Sequence, residues 1–205
     1  MAQQLRQLAL PIEEPLLRAI RRFDCLGTLH AADPVAENVN GFLVDGRFLP
    51  GLEQGISSTY LLLDQDLEPP LVGYATLTFD AVRLTNSEKS KMQDLLGIAE
   101  FGALRIQMIG VDRRHQGQGF GSVLLEAITG LARKLSQDVA LRFLLADANV
   151  RKVGWYRTHG FVGNKAKREL GRTDPGRSVS MRLDLLEALS DPEGEDRALL
   201  VAALE

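Results

Sequence analysis

Residues Arg114 to Gly121 read Arg-His-Gln-Gly-Gln-Gly-Phe-Gly, the composition of an anion cradle. Glycines at 117, 119 and 121 let the main chain curl until successive N–H groups converge. An apolar, helix-like run follows at once, so the positive end of its dipole lies beside those amides. Spacing then separates the nucleotide loops. A P-loop requires lysine after its second glycine, and Gly121 is followed by Ser122. The dinucleotide pattern Gly-x-Gly-x-x-Gly, begun at Gly117, requires glycine where Ser122 stands. What fits is Arg-x-x-Gly-x-Gly from Arg114 to Gly119, directly after Ile109-Gly110-Val111-Asp112.

A second group of residues follows the loop. Val139 to Ala146 is nearly all apolar, as expected of a fully buried parallel strand. Asp147-Ala148-Asn149 comes next, then Val150 to His159, a short helix stopped by Gly160 ahead of Phe161. Within it stands the pair Trp155-Tyr156.

The Arg-x-x-Gly-x-Gly loop resembles the pyrophosphate motif of the GNAT acyltransferases, which use acetyl-CoA. Asn149, Trp155-Tyr156 and Gly160-Phe161 resemble a later segment of the same family. The likeness spans Ser57 to Asp184. It implies that the amides of Gln116, Gly117, Gln118, Gly119, Phe120 and Gly121 hold the pyrophosphate, with Arg113 and Arg114 neutralising phosphate oxygens from the rim. It further implies that the main chain of Ile109 and Val111 holds the thioester and pantetheine arm. By the same resemblance Asn149 is a ligand of that arm, and Tyr156 is the proton donor to the departing thiolate. Each residue also has a plainer reading: the arginines as solvated charges, Tyr156 as an amphipathic core residue.

The chemistry sets limits on these roles. A phenol near pKa ~10 protonating a thiolate whose acid lies near ~8.5 works uphill by about 2 kcal/mol. Transfer must therefore accompany collapse of the tetrahedral intermediate, or the site must tune the phenol downward. For the general base, Glu100, Asp112, Glu126 and Asp147 are all candidates and none is singled out. Deprotonating a lysine at neutral pH costs about 4.6 kcal/mol, an α-amine only about 1. A weak base thus favours a low-pKa amine. His115 and His159 read as structural, the latter in a last helical turn where positive charge is favourable. Cys25 has no partnering motif for nucleophilic work.

Narrower likenesses lie upstream. Phe23-Asp24-Cys25, Ser58-Thr59-Tyr60 and Gly73-Tyr74-Ala75-Thr76-Leu77, with Val111-Asp112-Arg113-Arg114 and Gln116-Gly117-Gln118-Gly119, resemble the GNAT toxins of toxin–antitoxin modules. Those enzymes acetylate the α-amine of aminoacyl-tRNA. The net charge of −3 carries no global nucleic-acid signature. Yet Arg151, Lys152, Arg157, Lys165, Lys167, Arg168, Arg172, Arg177 and Arg182 share a stretch, 151–182, whose acids are Glu169 and Asp174. That stretch is either a solvated face or a tRNA-backbone contact.

The elements that must position this chemistry follow from periodicity. In the strand before the loop, Leu104, Ile106 and Met108 alternate with Arg105 and Gln107; Ile109 and Val111 then continue on the other parity. Such a slip is what a β-bulge produces, the alternative being a strand end buried on both faces. Phe120, Leu124, Ile128, Leu131 and Leu135 mark the following helix. Upstream, Pro15 to Phe23 reads as a short helix, and Ser57–Leu63 and Leu71–Phe79 as a strand hairpin. Asp45-Gly46 marks either a tight turn or the joint of a helix pair. Ser87 to Ile98 is a polar excursion, and Val179, Met181 and Leu183 alternate with Ser178, Ser180 and Arg182 as a half-buried strand.

Together these predict an α/β (α+β) fold: a mixed, twisted, GNAT-like sheet with a splayed, bulged strand, flanked by helices. One domain over 1–185 is expected, with 186–205 an acidic C-terminal helix or tail. At 205 residues and 45% hydrophobic the chain can bury a sizeable core. One cysteine excludes an internal disulfide, and no apolar run approaches a membrane span or signal peptide, so a cytoplasmic protein is expected. The expected activity is N-acetyl transfer from acetyl-CoA to a primary amine, with no metal. An aminoacyl-tRNA-acetylating toxin is the alternative within that class, and a non-catalytic acyl-CoA- or nucleic-acid-binding module the alternative outside it. A homodimer is compatible with the sequence.

Overall fold

A computed structural model describes residues 3–26, 34–90, 97–164 and 178–186. They contain a seven-stranded sheet flanked by helices, with strand order β1-β2-β3-β4-β5-β7-β6. The strands are β1 (Gln3–Gln7), β2 (Ser57–Asp64), β3 (Leu71–Val82), β4 (Phe101–Val111), β5 (Phe143–Asn149), β6 (Val162–Gly163) and β7 (Ser178–Asp184). The β1–β2, β2–β3, β5–β7 and β6–β7 pairs are antiparallel. The helices are α1 (Glu14–Arg21), α2 (Pro34–Val44), α3 (Leu49–Glu53), α4 (Asn86–Lys89), α5 (Phe120–Asp138) and α6 (Val153–Thr158). The chain divides into two compact units.

The first unit comprises the described residues of Met1–Thr78 and Ile106–Gly130. The expected hairpin is present: β2 and β3 pair from Ser57↔Thr78 to Leu63↔Leu71, with a register shift between Leu62 and Leu63. Helix α1 begins with proline in its first turn, where the missing N–H costs nothing. At Asp45-Gly46 the helix-pair reading holds and the tight strand turn does not. Gly46, at φ +71, follows α2 in the left-handed region and its N–H donates to Leu43 O at 3.2 Å, which ends the helix instead of reversing a strand. The core joins Leu16, Ile20, Phe23, Leu43, Phe48, Leu61, Leu71 and Tyr74. Phe23 meets Tyr74 edge-on, with ring centroids 5.5 Å apart.

The second unit comprises the described residues of Phe79–Arg105 and Leu131–Asp196. Val82, Leu84, Phe101, Ala103, Phe143 and Leu145 form a core cluster there. Two expectations need correction. The apolar run begun at Val139 is not strand throughout: α5 extends to Asp138, Val139 N still donates to Leu135 O at 3.0 Å, and β5 starts at Phe143. Helix length overrode the apolar run. Nor is β7 half-buried by alternation, since Met181 through Asp184 are all buried. The polar members of that run are covered because partners await them, buried Glu88 for Arg182 and the half-buried Arg142 guanidinium for Asp184. The polar excursion opens with α4, held by a capping box between Thr85 and Glu88; its residues 91–96 lie outside the described set. The predicted 186–205 segment lies outside it beyond Leu186.

Candidate active site

Strand β4 delivers the chain to the glycine loop. From Met108 to Val111 every residue is half-buried, so the inward–outward alternation seen earlier in β4 stops there. Gly110 is needed at this point, because a Cβ on it would lie 2.9 Å from Val39 Cγ1 of α2. Asp112 then N-caps a 3₁₀ turn, Arg113–His115, with its carboxylate accepting from Arg114 N at 3.0 Å.

Gly117 and Gly119 adopt φ of +76 and +88, a region that side-chain-bearing residues rarely occupy. The glycines are required by backbone conformation and not by crowding, since a Cβ on either would meet nothing within 4 Å. Helix α5 starts immediately, with Ser122 N and Val123 N both donating to Gly119 O, at 2.9 and 3.2 Å. A helix leaves its first amides without intrahelical acceptors, so the N–H groups at the start of α5 and those of the curled loop are available to an anion. Phe120, Leu124 and Ile128 are buried as periodicity predicts, while Leu131 and Leu135 are half-buried.

The loop's long side chains turn back onto the protein. Gln116 Nε2 donates to Val111 O at 2.9 Å and Cys25 O at 3.0 Å, and Gln118 Nε2 donates to Arg114 O at 3.0 Å. Arg114 forms a two-pronged pair with Asp112, Nε to Oδ1 and Nη2 to Oδ2, each 2.7 Å. Arg113 Nε lies 3.0 Å from Asp24 Oδ2. Asp112 is wholly buried; burial pushes its carboxyl up, but the hydrogen bonds from Arg114 and from Asp24 N–H outweigh that and hold it below the ordinary aspartate value. A carboxylate so enclosed is a brace, and Asp112 leaves the set of candidate bases. Its position directly after a strand and two residues before the N–H it caps is a capping signal readable in sequence; its ion pair is not.

His115 meets Phe120 edge-on at 5.8 Å, and His159 Nδ1–H donates to Trp155 O at 2.9 Å at the end of α6, as structural histidines do. Cys25 is buried, and desolvation with Asp24 nearby pushes its thiol up to about 12. Such a thiol is no nucleophile at neutral pH.

In the second unit, Asn149 ends β5 and caps the 3₁₀ turn Val150–Lys152, its Oδ1 accepting from Arg151 N at 2.9 Å. Tyr156 follows on α6, 5% exposed, edge-on to Trp155 at 4.9 Å and to Phe161 at 5.2 Å. Gly160, at φ +82, closes the helix as expected. Burial, and secondarily the charge of Asp147, raises the phenol above its ordinary value. Downward tuning is therefore absent in this conformation. Asp147 Oδ2 is held by Arg105 Nη1 at 2.6 Å, and Glu100 Oε1 by Arg83 Nε at 2.8 Å. Glu126 is exposed on α5.

Of the basic stretch, Arg151, Lys152 and Arg157 are exposed, whereas Arg182 is buried against Glu88 and cannot belong to a solvated face. Lys165, Lys167, Arg168, Arg172 and Arg177 lie outside the described residues.

Residues 70–163, which include the glycine loop, Asn149 and Tyr156, match the family model for the acetyltransferase (GNAT) domain. The chain carries a GNAT acetyltransferase domain. It is accordingly an acetyltransferase. Solved GNAT-fold structures extend the likeness to most of the chain. AtaT complexed with acetyl-methionyl-tRNAfMet is 19% identical over 92% of this chain and 99% of its own, with TM-score 0.68. A Tyr→Phe variant of AtaT, bound to the C-terminus of the antitoxin AtaR and acetyl-CoA, is 18% identical over 92% and 98%, with TM-score 0.64. A Tyr→Phe variant of KacT is 19% identical over 88% and 94%, with TM-score 0.66. At these identities the likeness is one of fold. No curated protein matches the chain. Among the described residues there is no cluster able to hold a metal ion, and no helix is long and apolar enough to cross a membrane.

Proposed function

We propose that this GNAT domain binds acetyl-CoA through the Gln116–Gly121 main chain and transfers the acetyl group to a primary amine by direct attack. The supporting observation is the loop itself: two left-handed glycines opening onto the start of a 19-residue helix, with its long side chains turned away from the amides. That cradle suits a diphosphate, whose charge is met by oriented N–H groups. Main-chain groups of Ile109 and Val111 receive the thioester and pantetheine, Asn149 orients the arm, and Arg113 faces the phosphates from the rim. The neutral amine attacks the thioester carbonyl, and the nitrogen of the tetrahedral intermediate gives up a proton to solvent. The intermediate collapses with cleavage of the C–S bond, and Tyr156 gives its proton to the leaving sulfur and recovers one from solvent. Since the phenol is raised, its proton moves as the sulfur develops negative charge and not before.

The acceptor is a low-pKa amine. Of the four candidate carboxylates, Glu100 and Asp147 are each paired with an arginine, Asp112 is enclosed and Glu126 stands exposed on α5. None is singled out as a base, which favours an amine with an appreciable neutral fraction at about pH 7. The α-amine of an aminoacyl-tRNA is the second, narrower reading. It is favoured by the whole-chain likeness to AtaT, seen with acetyl-methionyl-tRNAfMet. The test is release of free thiol from acetyl-CoA across a panel of small amines, peptides and charged tRNAs. Turnover with α-amines well above lysine side chains supports the proposal, and turnover with none of them refutes it.

A further inference from the structure

Residues 112–116 are fastened to residues 22–25 by a set of hydrogen bonds centred on one buried carboxylate. Asp112 Oδ2 accepts from Asp24 N at 3.0 Å, and Arg113 N donates to Asp24 O at 2.7 Å. Arg114 Nη2 reaches Arg22 O at 3.2 Å, and Gln116 Nε2 reaches Cys25 O at 3.0 Å. Asp112 N is itself anchored to Val72 O of β3 at 2.8 Å, so the cluster is tied into the sheet. The Arg114 guanidinium, 41% exposed, has its Nε and Nη2 directed inward to Asp112. A rim ligand would direct its fork outward to phosphate oxygens.

We infer that Asp112 is a positioning residue that sets the conformation of the diphosphate loop by fixing Arg114 and the Asp24 main chain, and that Arg114 acts through Asp112 and not as a phosphate ligand. The inference rests on the acetyl-CoA reading above and adds a division of labour within it. The anion is met by amides, with Arg113, which pairs with Asp24, at the rim, while Arg114 is turned inward to Asp112. The Asp112 carboxylate holds those amides in the receiving geometry, where a small displacement is felt strongly in binding.

The experiment compares full-length wild type, Asp112→Asn, Arg114→Gln and the double variant, with acetyl-CoA and with acetyl-pantetheine, which lacks the diphosphate. Each single variant is expected to raise KM for acetyl-CoA by about 10–100-fold with kcat within about threefold. The double variant is expected to match the worse single one, because the two groups act as a unit. Acetyl-pantetheine turnover is expected to change less than about threefold, which a general loss of structure would not permit. Additive effects of the two substitutions, or equal losses with both donors, would overturn the inference. A salt dependence of acetyl-CoA binding that is shallower in Arg114→Gln than in wild type would also overturn it, by showing that the guanidinium meets phosphate directly. Should either carboxylate variant fail to fold, Arg114→Gln alone with the two donors and the salt series decides the matter. Failure of wild type to bind acetyl-CoA at all would instead refute the functional reading beneath it.

Discussion

Arg182 Nη2 donates to Glu88 Oε1 at 2.7 Å, although the two residues are 94 positions apart. Both are at most 8% exposed, and Arg182 also reaches Asn164 Oδ1 at 3.2 Å. Removing one partner of such a pair strands a buried charge. Arg182→Met is expected to destabilise the protein by about 3–5 kcal/mol, with Arg182→Met/Glu88→Gln recovering much of the loss. Urea unfolding of the two variants checks both statements.

Acid sensitivity follows from the same carboxylate and from Asp112. Burial pushes each up, but Thr85 and Arg182 around Glu88, and Arg114 and Asp24 N–H around Asp112, bring them below their ordinary 4.5 and 3.8. A folded value below the unfolded one contributes stability that is complete above the unfolded value and lost as pH falls through the folded one. Unfolding free energy should thus hold level down to about pH 5 and decline below about pH 4. Glu88→Gln should make that decline shallower, as urea titrations at stepped pH would reveal.

Tyr156 carries the kinetic prediction. Tyr156→Phe is expected to lower kcat by about 100-fold while leaving the acetyl-CoA Kd nearly unchanged. Because burial and Asp147 raise the phenol, it stays protonated through the alkaline range, and kcat should show no falling limb up to about pH 10. A falling limb near pH 8 to 9 would remove the raised phenol from the mechanism.

Gly119 tests the loop through its backbone. A side chain at φ +88 costs about 1–2 kcal/mol, yet finds open space, so Gly119→Ala should fold and bind acetyl-CoA at least about tenfold more weakly. Comparison of Tm and Kd separates these effects.

What could be read from residues alone depended on distance along the chain. The loop, α5 and the Gly160 stop are local: glycine's freedom and helical periodicity act within a few positions, and all three stand where expected. The β2–β3 hairpin was legible for the same reason. Arg182 was not, because nothing in Ser178–Asp184 announces a carboxylate in α4. Arg114 is the sharpest case. Its spacing to Gly117 and Gly119 is that of the family motif, but its direction depends on whether Asp112, two residues earlier, is buried, and burial is a property of the folded sheet. Apolar runs misled at Val139, where a helix could extend into residues whose composition also suits a strand.

The central claim, that the Gln116–Gly121 main chain receives the diphosphate of acetyl-CoA, is tested most directly by calorimetric titration of the purified full chain with acetyl-CoA. The account predicts saturable binding with one coenzyme per chain, weakened in Gly119→Ala. Absence of binding heat, or binding indifferent to that substitution, would contradict it.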